Sequence, residues 1–218
     1  ATRDGLEMAV DGWERTVHVN DLRSGDMALV VENGVLVEPF EAPVADAAVL
    51  IEAGAVVYSG PRRELPNRAQ GAPRLDAGGG YIAPGFVDIH VHGGGGADTM
   101  DANPDGIRAM SLAHARAGTT ALLCTTVTAS RDQLLAAERA VVEAARRQRI
   151  WWAEAPAADP GVGWGARIAG IHLEGPYLNP ERKGAQNPAY MRDPSLAELE
   201  ALLDASRLDG QALLRLMT

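Results

Sequence analysis

Two histidines, His90 and His92, stand two residues apart at the end of a short apolar run, residues 86–91. Alternate side chains of a β-strand point to the same face, so both imidazoles can reach one metal ion. Asp88 has the same parity and could accept a hydrogen bond beside such an ion. A structural alternative for the pair is hydrogen bonding to nearby backbone. The spacing indicates a candidate metal site.

A second cluster, residues 170–176, ends a later apolar run and contains Glu174 next to a Gly-Pro turn. An acid at a strand end near two imidazoles completes a three-ligand set with one coordination position left for water. His172 shares the parity of Glu174, and we expect a core or supporting role for it. Glycines 93–96 suit either a close backbone approach to a ligand or a flexible loop.

The elements that must position these side chains alternate between strand and helix. Four βα units with a parallel sheet are predicted, which is half of an eight-stranded (β/α)8 barrel of the TIM type, where active sites lie at the carboxyl ends of the strands. Strands are expected to start near residues 86, 119, 168 and 213, with helices over 104–117, 131–148 and 193–206 and a loop over 151–166.

The residues before this α/β segment have a different character. An Asn-Gly pair at 33–34 and a turn at 52–54 each separate two β-branched runs, which predicts two hairpins in a small antiparallel sheet. We therefore divide the chain into an irregular extension (1–26), a small β-sheet domain of partial β-sandwich type (27–84) and the first half of a barrel (85–218).

Composition excludes several classes of protein. The 218 residues carry a net charge of -9, which argues against a sequence-independent nucleic-acid binder but allows a small anionic ligand. Cys124 is the single cysteine, so neither an intrachain disulfide nor a cysteine-based zinc cluster is possible. The N-terminus lacks the apolar segment of a secretory signal. No apolar run is long enough to predict a membrane span. We expect a cytoplasmic protein without nucleic-acid or membrane partners.

Two motifs resemble those of a known family. The run PGFVDIHVHG (84–93) looks like the first barrel strand of the amidohydrolase superfamily. The run HLEGPYLNP (172–180), followed by KGA (183–185), is narrower and resembles the N-acetylglucosamine-6-phosphate deacetylases. The resemblance extends from about residue 27 to the end and includes DAGGG (76–80).

The resemblance implies roles for individual residues. Glu174 matches the family's metal-ligating glutamate, and His90 and His92 match the pair that supplies a second metal position in members that retain it. One or two divalent ions, zinc or iron, are therefore expected in each full-length subunit. Ala185 and Gln186 fall where the family contacts the amino sugar, although many members have histidine at the position of Gln186. The full-length family implies a homodimer.

The implied activity is hydrolysis of the acetamide of N-acetylglucosamine 6-phosphate by a metal-activated water, which yields glucosamine 6-phosphate and acetate. The family's general base is an aspartate at the end of the eighth strand, which we expect beyond residue 218. A closed barrel has about 250 residues, and residues 85–218 supply about half of one. The chain is therefore expected to be truncated, with little or no deacetylase activity alone.

Two alternatives remain open. Another amidohydrolase could act on a cyclic amide or an N-acyl amino acid, but that group often uses a carboxylated lysine as a bridging ligand, and Glu174 favours the deacetylase. The other alternative is a non-catalytic remnant that only associates with itself or with a complementary half. A half barrel has two open sheet edges, which favour association.

Overall fold

The computed structural model describes residues 8–10, 16–17, 28–154 and 163–218. These residues divide into two compact units, of which the first runs to Phe86 and the second begins at Val87. The exact domain boundaries given above stay predictions. None of the described helices is long and apolar enough to cross a membrane.

The first unit is built from strands of two to nine residues. In chain order they are β1 (Met8–Val10), β2 (Thr16–Val17), β3 (Ala28–Leu36), β4 (Val44–Glu52), β5 (Ala55–Pro61), β6 (Arg74–Asp76) and β7 (Tyr81–Pro84). They form one sheet in the order β2-β1-β7-β3-β4-β5, and β6 also pairs with β3. The β3–β4–β5 part is antiparallel, whereas β6 and β7 lie parallel to β3.

The N-terminal range 1–26 contains β1 and β2, although the sequence predicts an irregular extension there. β1 pairs antiparallel with both β2 and β7. Its partner β7 lies some 70 residues further along the chain, so no local pattern could reveal the pairing. The other residues of this range lie outside the described part of the chain.

The predicted second hairpin is confirmed and the first is wrong. β4 and β5 are joined by Ala53 and Gly54, which have φ values of 49° and 76°, as a type I′ hairpin turn requires. Asn33-Gly34 instead lies inside the continuous strand β3, where Asn33 has a φ of 60° and the register of pairing shifts. A Cβ atom on Gly34 would lie 2.7 Å from Ile82 Cγ1, so the glycine permits β7 to lie beside β3.

Both faces of the central strands are buried, which explains why their apolar runs do not alternate with polar residues. One face packs Leu29, Val31, Val49 and Ile51 together with Ile82 from β7. The opposite face packs Val30 and Leu50, among others, against Ala69.

The second unit has α/β architecture, as predicted. Its main strands and helices are β8 (Phe86–Val91), α1 (Pro104–Ala115), β11 (Thr119–Thr125), α2 (Arg131–Glu154), β12 (Arg167–Leu173), α3 (Leu196–Ala205) and β15 (Leu214–Met217). Two small hairpins complete it, β9 (Gly93–Gly94) with β10 (Ala97–Asp98) and β13 (Arg207–Leu208) with β14 (Gln211–Ala212).

The main sheet has the order β15-β12-β11-β8, so strands consecutive in the alternation are neighbours. β11 and β12 are parallel, and so are β12 and β15. The core between this sheet and its helices is apolar, with Ile107 and Met110 from α1 and Val141 from α2 against Leu122 and Ile171.

Local signals at the helix starts are confirmed, and two predictions about loops need correction. Ser130 and Gln133 exchange hydrogen bonds as a capping box before α2. That helix continues past its predicted end at residue 148 to Glu154, because Trp152 is buried and extends its packed face. Glycines 93–96 form the β9–β10 hairpin, where a Cβ on Gly95 would lie 3.0 Å from the Ala109 carbonyl oxygen of α1; they serve close packing and a tight turn.

Candidate metal centre

Three predicted ligands converge at the ends of two strands. His90 lies near the end of β8 and His92 directly follows that strand, while Glu174 directly follows β12. His90 Nε2 lies 3.0 Å from His92 Nε2. Glu174 Oε2 lies 3.1 Å from His92 Nε2 and 3.5 Å from His90 Nε2. Among the described residues, these three groups form a cluster that could hold a metal ion.

The triangle of donor atoms fits a small divalent ion. Ligands at about 2.0–2.1 Å from a tetrahedral zinc ion lie about 3.3–3.4 Å apart, close to the three distances in the cluster. Glu174 Oε2 is buried and accepts no hydrogen bond within the part of the chain that the structure describes. A buried anionic oxygen is costly without a compensating positive charge, so the donor set suits a cation.

The imidazole of His92 is oriented for ligation. Its Nδ1 lies 3.2 Å from the Thr125 carbonyl oxygen at the end of β11. A carbonyl only accepts, so Nδ1 carries the proton and the Nε2 lone pair faces the cluster. The Thr125 hydroxyl also accepts a hydrogen bond from the backbone N–H of Val91 at 2.9 Å. Thr125 therefore contacts both the last residue of β8 and the His92 ring that follows it.

The backbone on either side of Glu174 is held by Thr218. The N–H of Thr218 donates to the Leu173 carbonyl at 3.0 Å, and the Gly175 N–H donates to the Thr218 carbonyl at 3.2 Å. These two hydrogen bonds lie on either side of Glu174. They fix the backbone position from which its side chain extends.

His172 lies beside the cluster, in line with its expected supporting role. It is 3% exposed, and its ring packs edge-on against that of His90 with centroids 4.9 Å apart. Burial, together with the neighbouring His90, lowers the pKa of His172, which favours a neutral imidazole. Asp88, the other candidate for support, accepts a hydrogen bond from the backbone N–H of His90 at 3.0 Å.

The two residues predicted to contact the sugar lie in the segment between β12 and α3. The Gln186 side-chain oxygen accepts a hydrogen bond from the backbone N–H of Thr128 at 2.7 Å. Ala185 is exposed. Neither residue contributes to the metal-ligand cluster, and their contact with substrate stays a prediction.

Sequence reasoning missed an ion pair in the same segment between the buried Glu198 and the half-buried Arg192. Arg192 donates to both carboxylate oxygens of Glu198, and Tyr177 donates to Glu198 Oε2 at 3.0 Å. Arg192 also reaches the Ala129 carbonyl at 3.0 Å. The hydrogen bond from Arg192 lowers the pKa of Glu198, and burial raises the pKa of Tyr177 to about 12. A spacing of six residues matches no local helix or strand pattern, so no sequence signal pointed to this pair.

Comparison with known proteins finds chains of similar sequence, although no family model matches. N-acetylglucosamine-6-phosphate deacetylase of Bacillus subtilis is 42% identical over 118 residues, which cover 54% of this chain and 27% of that protein. N-acetylgalactosamine-6-phosphate deacetylase of Escherichia coli O157:H7 is 36% identical over 126 residues, which cover 58% of this chain and 30% of that protein. The match thus spans less than a third of the length of these curated relatives.

A solved structure agrees with the sequence matches. It is a variant of N-acetyl-D-glucosamine-6-phosphate deacetylase from Mycobacterium smegmatis in complex with N-acetyl-D-glucosamine-6-phosphate. It matches with a TM-score of 0.62 and 32% identity, over 89% of this chain and 43% of that one. The resemblance drawn from the two motifs is confirmed, and the chain is similar in sequence and structure to part of the N-acetylglucosamine-6-phosphate deacetylases.

Proposed function

We propose that this chain supplies a divalent-metal site for hydrolysis of the acetamide of N-acetylglucosamine 6-phosphate to glucosamine 6-phosphate and acetate. The observation that carries the proposal is the convergence of His90, His92 and Glu174, whose donor atoms lie 3.0–3.5 Å apart. The relatives' names supply the substrate class.

The three side chains would hold one zinc or iron ion. A bound divalent ion supplies Lewis acidity, which acidifies water and polarises an amide carbonyl. The chain's own residues prepare the site: Thr125 fixes the protonated nitrogen of the His92 ring, and Thr218 brackets Glu174. The Glu174 carboxylate, whose Oε2 is buried, contributes the negative charge that retains a cation.

The remaining parts of the catalytic site are proposed to come from elsewhere in the family's barrel. The second unit would be the first half of a (β/α)8 barrel, and the first unit part of a β-sandwich. The general base, an aspartate in the family, would follow the eighth strand. We therefore propose that acetate release requires groups beyond the three that converge here.

The segment between β12 and α3 is the proposed sugar-binding part of the site. Gln186 is anchored through its side-chain oxygen to Thr128, and Ala185 is exposed beside it. The relatives comprise deacetylases of both N-acetylglucosamine and N-acetylgalactosamine phosphates. These two sugars differ only in configuration at C4, so the two 6-phosphates have to be compared directly as substrates.

Zinc titration and an acetate-release assay with both 6-phosphates test this proposal. We expect one zinc ion per chain, lost in the Glu174→Ala variant and retained in Glu181→Ala, a matched control that removes an exposed acid of the same segment. Failure of the wild-type chain to bind zinc would contradict the metal site. We expect little acetate release from the chain alone, and a measurable rate that is faster on the galactosamine substrate would overturn the assignment of N-acetylglucosamine 6-phosphate.

A further inference from the structure

The imidazole of His172 connects three strands of the main sheet. Its Nδ1 lies 3.2 Å from the Ile89 carbonyl oxygen in β8, and its Nε2 lies 2.7 Å from the Thr218 hydroxyl, which follows β15. β8 and β12 are not neighbours, because β11 lies between them. The buried ring therefore makes a link that no backbone ladder provides.

Hydrogen-bonding chemistry assigns the proton on this ring. The Ile89 carbonyl can only accept, so Nδ1 of His172 donates to it. Nε2 then accepts from the Thr218 hydroxyl, since a neutral imidazole has one donor and one acceptor. Both ring nitrogens are satisfied, and the ring orientation is fixed.

The fixed orientation of the His172 ring affects His90, one of the proposed metal ligands. Ile89 immediately precedes His90, and the His90 ring packs edge-on against His172 at an interplanar angle of 87°. On the other side of His90, the Val91 N–H is held by the Thr125 hydroxyl. The peptide groups that flank His90 are thus fixed by side chains from two other strands, which an edge strand needs because it lacks a second ladder.

We infer that His172 is a positioning residue for the metal centre, which holds the backbone and ring of His90 in place for ligation. The inference rests on the proposed metal-binding function and deepens it. Residues that orient metal ligands typically contribute about 10- to 100-fold to metal affinity. His172→Leu should therefore weaken zinc binding by about that factor.

Two polar variants distinguish the contact of His172 with Ile89 from its contact with Thr218. His172→Asn can place an amide N–H near the position of Nδ1 and keep the donation to Ile89. His172→Gln extends toward Thr218 instead. If the contact with β8 is what matters, Asn restores zinc affinity to within a few-fold of wild type, whereas Gln and Leu do not.

A matched control separates positioning from stability. Gln148 is another buried polar side chain of the second unit, and it bonds the carbonyl of Ala166 and the N–H of Ile168 at the start of β12. Gln148→Leu should lower thermal stability and leave the zinc dissociation constant of the folded protein unchanged.

Zinc dissociation constants, measured by chelator competition at a temperature where all four variants are folded, test the inference. Weaker binding in His172→Leu, rescue by Asn and no change in Gln148→Leu support it. Wild-type affinity in His172→Leu, or equal weakening in Gln148→Leu, overturns it while the metal site stands. Absence of zinc binding in the wild-type chain overturns the proposed function, and this inference with it.

Discussion

His90 Nε2 and His92 Nε2 lie 3.0 Å apart, with Glu174 Oε2 within 3.5 Å of both. Two nitrogen lone pairs at this distance repel each other unless a proton or a cation lies between them. The side chains hold this arrangement because Thr125, Thr218 and the strand ends fix each of them separately. The three side chains are therefore held in an arrangement that could bind a metal ion.

Removal of either imidazole should abolish tight zinc binding. His90→Ala and His92→Ala each leave two ligands, and we expect the affinity to fall by more than about 100-fold, beyond the loss typical of residues that only orient ligands. Titration with zinc against a chromophoric chelator measures this. His114→Ala is the control, since His114 bonds the Gly93 carbonyl and provides no ligand. Unchanged affinity in either ligand variant would refute the assignment.

The buried acid Glu138 should make stability depend on pH. Burial raises its pKa to about 8 from an ordinary value of 4.5, and its carboxylate oxygens have no hydrogen-bond partner among the described residues. Between these pH values the folded protein retains a proton that the unfolded chain has released. Stability should therefore fall as pH rises from about 4.5 to about 8.

Glu138→Gln tests this pH dependence by urea unfolding across the same window. The variant should show a flatter dependence of unfolding free energy on pH than the wild type, whereas Glu200→Gln, at an exposed position, should not. An unchanged slope in Glu138→Gln would show that Glu138 does not titrate there.

The ion pair of Arg192 and Glu198 should oppose local unfolding of the segment between β12 and α3. Glu198→Gln weakens a charge-assisted contact in which Glu198 is buried and Arg192 is half-buried. Breaking a fully buried pair costs about 3–5 kcal/mol, which is an upper bound for this pair. If a third of that energy affects local opening, trypsin cleavage after Arg182 or Lys183, which lie in this segment, should accelerate about 5- to 15-fold.

Asp204→Asn provides the comparison for the trypsin experiment. It removes the exposed partner of Arg207, and exposed pairs contribute about 0–1 kcal/mol. Its cleavage rate at the segment should match wild type. Cleavage of Glu198→Gln at the wild-type rate would mean that the pair does not control opening.

Gly34→Ala should destabilise the first unit. The new Cβ would meet Ile82 Cγ1 at 2.7 Å and the Gly80 carbonyl oxygen at 2.8 Å, so strands β3 and β7 must separate. Overpacking of this kind costs about 1–3 kcal/mol. Thermal unfolding should show a lower midpoint than wild type, and an unchanged midpoint would contradict the packing described for β3.

Much of the site was predictable because strand ends are local features. Candidate ligands at the ends of β8 and β12 follow from the parity of His90 and His92 and from the Gly-Pro turn after Glu174. The alternation of strand-like and helix-like hydrophobic patterns predicts the α/β unit. The Asn33-Gly34 signal failed because long-range pairing with β7 overrides local turn preference. The bond from His172 to Ile89 also joins residues distant in sequence, and no pattern along the chain encodes it.

The most direct test of the metal site is a crystal structure of the zinc-loaded chain with anomalous data collected at the zinc edge. We predict one strong anomalous peak about 2.0–2.2 Å from His90 Nε2, His92 Nε2 and a carboxylate oxygen of Glu174. No peak among these three residues, or a zinc ion bound elsewhere while the triad keeps direct hydrogen bonds, would contradict the account.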